Sequence, residues 1–448
     1  MTTIRSTRNP WKSLAPAFAL GLMLPACNIL DVNNPNNLKE DDVLQSSAAS
    51  AVVNGAVAEN ADGIATQWLG YLMATDEIVW IGSRDAWGQL DQGFVANPAN
   101  EFTDAAFPDV AEARWWSDQA VTILDAHVDT VPTEEMMLDQ ARAYLQAGLI
   151  YTIIGETQED FAFSDRELGA PAVGPAAMAT VLDKAIQYLD FAVTSGEALG
   201  DTAVHYRALA MRARAKHSRA QWDKIKPSVN TADPLVSSEG ASADANALLG
   251  LVPSTWRYQL GYSSSTVTNT MASEINSRGE QQFDTTSVLQ VNSAAPKTIL
   301  GVKLLDPIDG VPDPRIVTFL QEWKDDTDIS IAGPIYSSLT VTSAKHMHLI
   351  LAEDALARGD EGGFAMHVNA VRAMDGLTPW SGQIPALDVL KYERRAALFV
   401  TGVRLLDMYR FGITDPLWVA GSDVVNAPGT LLPITCIERN ANSEIPDC

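Results

Sequence analysis

The feature that most constrains this 448-residue chain is a helical spacing of apolar residues that returns in one long segment after another. In EEMMLDQARAYLQAGLIYTIIG (134–155), Met137, Ala141, Tyr144, Leu145, Gly148 and Leu149 recur at three- and four-residue steps. That spacing puts them on one face of an α-helix. PAAMATVLDKAIQYLDFAV (175–193) opens on proline, which suits a first helical turn, and repeats the pattern with Val181, Ala185, Tyr188 and Leu189. AVHYRALAMRARAKHSRAQWDKI (203–225) carries alanines at contact positions, and we expect a turn before its closing QWDKI. SAKHMHLILAEDALARGDEGGFAMHVNAVRAMDG (343–376) reads as helix, RGDEGG turn and helix.

Small residues on the contact faces, together with helix–turn–helix units of varied length, predict tetratricopeptide-like hairpins stacked side by side. The expected fold is therefore mostly α. Residues 226–340 differ, being rich in Ser, Thr, Asn, Asp, Gly and Pro with aromatics interspersed, as in STWRYQLGYSSSTVTNT and LDPIDGVPDPRIVTFLQEWKDD. They predict long irregular loops and a few short strands packed on one side of the helical frame. A long irregular stretch inside a compact domain is usually functional or disordered, and the embedded aromatic and apolar residues favour order and therefore function.

The N-terminus belongs to a different class of signal. Arg5, Arg8 and Lys12 precede LAPAFALGLML (14–24), which is too short for a permanent membrane span. This is the pattern of a secretory signal over residues 1–26. Leu24, Ala26 and Cys27 fit a bacterial lipobox, with Cys27 the thiol that would carry acyl chains. An ordinary signal with an incidental cysteine is the alternative. Residues 27–45 then read as a polar tether and 46–448 as one domain, divided into helical halves at 46–225 and 341–448 around the loop-rich 226–340. Cys436 and Cys448 lie close together in sequence and either form a disulfide or remain two free thiols.

The formal net charge of −25 argues against nucleic acid and anionic headgroups as partners and favours neutral or cationic ligands. No H-E-x-x-H, G-x-S-x-G, P-loop, G-x-G-x-x-G or paired C-x-x-C occurs, so no catalytic residue, resident metal or cofactor is expected. His346 and His348 are two apart, which on a helix points them in different directions. Asp325, Asp326 and Asp328, or Asp306 and Asp309, offer calcium-type donors without the EF-hand spacing, and read better as solvated acidic turns. With 56 acidic residues, pairs suited to glycoside hydrolysis are too easily found to be informative.

Tryptophan carries more information. Trp68, Trp115 and Trp116 lie inside helical patterns and read as core. Trp80 and Trp87 sit among Asp76, Glu77, Arg84, Asp85 and glycines, and Trp256 stands with Arg257, Tyr258 and Tyr262. Flat rings stack on sugar faces while Asp and Arg bind hydroxyls. Trp80, Arg84, Asp85, Trp87, Trp256, Tyr258 and Tyr262 are therefore the candidate ligand-binding residues, with hairpin or core packing as the competing reading.

Near the C-terminus the chain reads LKYERRAALFVTGVRLLDMYRFGI (390–413) and then LLPITCIERN (431–440). This resembles the SusD/RagB family of outer-membrane nutrient-binding lipoproteins. Glu393, Arg394, Leu398, Gly402, Arg404, Asp407, Arg410 and Gly412 match the family's late helix, and Leu431, Leu432, Pro433, Ile434 and Glu438 its closing motif. HLILAEDALARGD, PDPRI (312–316) and ARWWSDQAVTILDA (113–126) match in order, while Thr401 and Thr435 depart from the pattern. The resemblance implies a right-handed tetratricopeptide-like scaffold that caps a TonB-dependent, SusC-like barrel and delivers an oligomeric nutrient, such as a glycan or peptide. It also implies a lipid anchor in the outer membrane, facing outward. The late charged residues themselves read as a structural lock. Two other functions fit the residues: a scaffold lipoprotein that binds protein partners, and an α-helical glycoside hydrolase.

Overall fold

The computed structural model describes residues 45–165, 168–291, 298–324 and 335–448. All of them fall in one compact unit. Its frame is a series of helices: α1 (Ala49–Leu72), α2 (Asp85–Asp91), α3 (Glu101–Thr130), α4 (Glu134–Thr157), α5 (Ala179–Ala198), α6 (Thr202–Ile225) and α7 (Glu239–Leu249). Side chains that favour non-helical backbone and accept amide hydrogens set the starts. Asn100 accepts from Phe102 and Thr103, Thr133 from Met136, and Asp201 from Val204. Neighbours then pack in order, α1 on α3, α3 on α4, α4 on α5, α5 on α6 and α6 on α7.

Glycine lets two of these helices approach closely. A Cβ on Gly148 would lie 2.4 Å from Leu189, and one on Gly155 2.6 Å from Leu182. The two glycines are seven residues apart on α4, so both face α5, where Leu182, Ala185 and Leu189 are fully buried. The expected turn before QWDKI is absent. Helix α6 continues to Ile225 because Ser218, Gln221 and Trp222 are buried, and the Ser218 hydroxyl donates to Glu156 on α4 at 2.6 Å.

Residues 226–340 are more ordered than their composition suggests. Besides α7 they hold most of the strands, which form three two-stranded antiparallel sheets. β1 (Ile78–Trp80) pairs with β3 (Gln281–Phe283), β2 (Arg257–Leu260) with β6 (Leu339–Ser343), and β4 (Val288–Val291) with β5 (Thr298–Val302). Helix α8 (Pro314–Lys324) follows β5. Strand β6 runs directly into α9 (Ala344–Ala357), whose cap is the strand's own last residue, Ser343. Helix α9 packs against α7 and forms a hairpin with α10 (Glu361–Met374).

The single late helix expected over 390–413 is in fact two, α11 (Ala386–Ala397) and α12 (Arg404–Phe411). Val400 at φ 56° and Gly402 at φ 78° turn the chain between them. A Cβ at Gly402 would lie 2.4 Å from the Trp68 indole, so the turn rests on the ring of α1. The lock is real but runs between elements. Arg410 pairs with Glu353 on α9 and, at 2.8 Å, with Asp407; Arg394 of α11 reaches Asp407 of α12 at 2.7 Å. Arg404 grips Asp76 at 2.6 Å, while Glu393 takes Arg315 and, at 2.6 Å, Arg372. Arg214 of α6 pairs with Glu156 at 2.6 Å and donates to the carbonyls of Val341 in β6 and Thr401 in the turn. All of these groups are buried. Burial alone would raise the carboxyls of Glu353 and Asp407, but the arginines hold both below the usual range. Removing one partner of such a network leaves an uncompensated buried charge. Glu353→Gln is expected to cost about 3–5 kcal/mol of stability, read as a lower denaturation midpoint in urea; an unchanged midpoint would refute the role of the lattice.

Candidate functional site

Helix α8 shows how the principal cavity is made. PRIVTFLQEWK starts on Pro314, and the Asp313 carboxylate accepts the Arg315 amide at 2.8 Å. Ile316, Leu320 and Trp323 point inward, Phe319 lies half-buried beside them, and Thr318 and Glu322 face out. Phe319 stacks on Trp323 with ring centroids 5.3 Å apart and meets Phe399 edge-on at 5.1 Å. Opposite stands the β2·β6 ladder, with Arg257 level with Ser343. Between these walls and the α10 and α11 ends is a cavity of about 790 Å³.

Its aromatic surface comes from Trp256, Phe319, Trp323 and Tyr336, and its hydroxyls from residues such as Ser254, Thr255, Thr318, Ser338 and Thr340. The Trp323 indole N–H is buried without a hydrogen-bond partner. Arg257 clasps Glu322 through its two terminal guanidinium nitrogens, at 2.6 and 3.0 Å. Lys345 holds Asp375 at 2.8 Å. Such a surface offers stacking planes and alternating donors and acceptors.

Of the seven candidate binding residues, only Trp256 lines this cavity. For Trp87, Tyr258 and Tyr262 the competing reading, core packing, is the one the structure takes. Trp87 is 4% exposed and lies flat on Phe102, with centroids 3.8 Å apart, because DAWGQLD forms helix α2. Tyr258 points from β2 into the core beneath Arg207, and Tyr262 donates its hydroxyl to the Ala61 carbonyl at 2.8 Å. Trp80 is half-buried at the end of β1, with its ring against Gly88. Arg84 and Asp85 are exposed beside it, and the Arg84 guanidinium lies 5.4 Å from the centre of the Phe102 ring. The reading missed Phe319, Trp323 and Tyr336, although the four-residue spacing of the first two was visible.

Other expectations resolve individually. Cys436 and Cys448 are joined in a disulfide, with Cα atoms 5.5 Å apart. Trp68 is core, whereas Trp115 and Trp116 are half-buried, set edge-to-face at 5.0 Å. Asp306 is no solvated turn: it is buried against Arg372 at 2.8 Å and accepts the Ile308 and Asp309 amides. His346 is buried against Thr342, and His348 meets His367 at 3.1 Å, so burial and that neighbour lower its pKa to about 4. Cys27 and Asp325, Asp326 and Asp328 lie outside the described residues. Among the described residues no group of three or more His, Cys, Asp or Glu is arranged to hold a metal ion.

Solved structures with a similar chain path include SusD homologues and SusD-like proteins. A SusD homologue from Bacteroides thetaiotaomicron VPI-5482 superposes with a TM-score of 0.65 at 12% identity, over 91% of this chain and 98% of its own. The chain has the SusD fold. A SusD superfamily protein from Bacteroides vulgatus ATCC 8482 gives a TM-score of 0.57 at 13% identity, over 88% and 98% of the two chains. A laminarin-binding SusD-like protein gives 0.53 at 16%, over 89% and 98%. No family model and no curated protein matches the sequence, so at these identities the likeness is one of fold.

Within this SusD fold, the segment around Trp80 has a different chemistry from the cavity. Asp91 and Glu77 are buried, which raises each carboxyl to about 8; for Asp91, Asp415 and Asp284 add to the effect. Asp415 is raised to about 6, again first by burial. The folded chain therefore keeps protons that the unfolded chain has lost above about pH 4. The stability these groups contribute is complete below the unfolded pKa and is lost as pH rises through about 6 for Asp415 and about 8 for Asp91 and Glu77. Asp407 and Glu353, held low, act in the opposite sense, their contribution being lost as pH falls through their lowered pKa values. The melting temperature should fall by a few degrees between about pH 5.5 and about pH 8.5. Asp91→Asn should flatten that fall and melt above the parent at the higher pH. Parallel profiles for parent and variant would refute the assignment.

Proposed function

We propose that this chain is a non-enzymatic, lipid-anchored outer-membrane protein that captures an oligosaccharide and delivers it to a TonB-dependent, SusC-like barrel. The observation that carries the binding role is the cavity itself, in which Trp256, Phe319 and Tyr336 stand among hydroxyl side chains and ion-paired polar groups. Sugar rings present C–H faces to aromatic planes and hydroxyls to groups that both donate and accept. The volume is within the range of about 300–1,000 Å³ typical of ligand sites. Structural neighbours include a SusD-like carbohydrate-binding protein and a laminarin-binding SusD-like protein, which supports a glycan as ligand. Among the described residues of the cavity, the exposed Glu322 and the more enclosed Asp375 are each engaged by a cation, an arrangement suited to binding rather than hydrolysis.

The anchor rests on Cys27 and the signal that precedes it. No helix among the described residues is long and apolar enough to cross a membrane. The barrel partner and the outward-facing location follow from the family resemblance.

Trp256→Ala should weaken binding of the preferred oligosaccharide about tenfold, a loss of about 1.4 kcal/mol, by calorimetry over a glycan panel, with little change in melting temperature. Trp87→Ala should do the reverse, destabilising the fold by about 3–5 kcal/mol. Equal binding by parent and Trp256→Ala would sink the site. A mild-detergent pull-down from native outer membranes should bring along a TonB-dependent barrel; recovery of periplasmic assembly factors instead would replace the delivery role with a scaffold role.

A further inference from the structure

Among the described residues, three cations line the cavity, Arg257, Arg315 and Lys345, and each already holds a carboxylate. Arg315 is buried, with each of its three nitrogens bound to Asp313 or Glu393. Arg257–Glu322 is the accessible pair, its side chains 40% and 46% exposed. Lys345–Asp375 is more enclosed, at 24% and 12%. No unpaired cation therefore awaits an anionic ligand among the described residues of this cavity.

An intact pair still has much to offer a neutral ligand. After the two-point clasp, each Arg257 terminal nitrogen keeps a second N–H and each Glu322 oxygen a second lone pair. Neighbouring sugar hydroxyls, which both donate and accept, can use these together without breaking the pair. The Ser and Thr hydroxyls of the walls are two-way in the same sense. A ligand carboxylate or sulfate only accepts. To take the guanidinium it must displace Glu322, and it then lies beside a like charge in a chain of formal net charge −25.

We propose that the Arg257–Glu322 and Lys345–Asp375 pairs make this cavity selective for uncharged oligosaccharides, with Glu322 and Asp375 the residues that exclude acidic ones. The inference rests on the carbohydrate-binding reading above and adds to it the charge class of the ligand. Neutralising either carboxylate leaves a cation without its partner at the cavity surface and reverses the preference.

The test measures the affinity of the full chain for neutral hexasaccharides (laminari-, cello-, manno- and xylohexaose) and for hexagalacturonate, in the parent, E322Q, D375N and W256A. The parent is expected to bind a neutral hexamer at least about fivefold more tightly than hexagalacturonate, and E322Q and D375N to raise the acid-to-neutral affinity ratio by about fivefold or more. A ratio is read because both residues belong to the binding surface, and thermal melts establish that each variant is folded; D375N carries the test where E322Q does not fold. Parent binding of hexagalacturonate as tight as that of any neutral hexamer overturns the proposal, as does an unmoved ratio in the folded variants. Loss of neutral binding in W256A with that unmoved ratio leaves the carbohydrate site standing and removes only its charge selectivity. Unchanged neutral binding in W256A, or no neutral hexamer bound by the parent, removes the site and the selectivity together.

Discussion

The buried charge lattice centred on Arg410 is the interaction on which the rest of this structure depends. Its members come from α9, α11 and α12; Glu353 also meets His217 of α6 at 3.3 Å, and Arg214 of the same helix pairs with Glu156 of α4. Apolar packing alone specifies such a junction weakly, because methyl and methylene contacts tolerate sliding. Guanidinium–carboxylate pairs do not, since a displaced pair leaves charges buried and unmet. The stacked helices could bury their stripes in several registers. The lattice selects one, and fixes where the α11–α12 turn meets Trp68.

The cavity inherits that definition. One wall, β6, is tied to Arg214 through the Val341 carbonyl, and its floor includes Phe399 and Thr401 from the same turn. At its base Arg315 joins Asp313 and Glu393, so the start of α8 is fastened to α11. The groups that would meet a ligand therefore stand on elements whose positions are set by buried charge. Their own exposed pairs are weak by comparison, as exposed pairs generally are. The molecule separates two uses of the same chemistry: deep pairs hold the frame, and shallow pairs present a surface.

Much of the frame was legible because it is written locally. The 3.6-residue periodicity gives α4 and α9 to within a residue or two and the start of α6, though not its end, and RGDEGG marks the α9–α10 turn. The break between α11 and α12 was not legible. Val400 is β-branched and gives no sign of a positive φ; only Gly402 hints at it, and the need for that glycine comes from Trp68, more than 300 positions away. The site failed for the same reason. Trp87 has polar neighbours in sequence, yet its environment is Phe102, reached through helix α2. Tyr258 alternates inward from Arg257, a period-two signal that the aromatic clustering obscured. Charges at 393, 394, 404, 407 and 410 were correctly read as structural because residue type and spacing suffice to say that they pair, though not with whom.

The direct passage from β6 into α9 has a mechanical meaning. Ser343 is the last rung of the ladder opposite Arg257 and also the cap that accepts the His346 amide at 3.2 Å. No loop intervenes between the cavity wall and a helix anchored by Glu353. A wall continuous with the frame has no hinge there. Whatever enters meets a surface already in its final shape and gives up mainly its own freedom of motion. At this wall a ligand would leave by its own dissociation, with no movement of β6 to wait for.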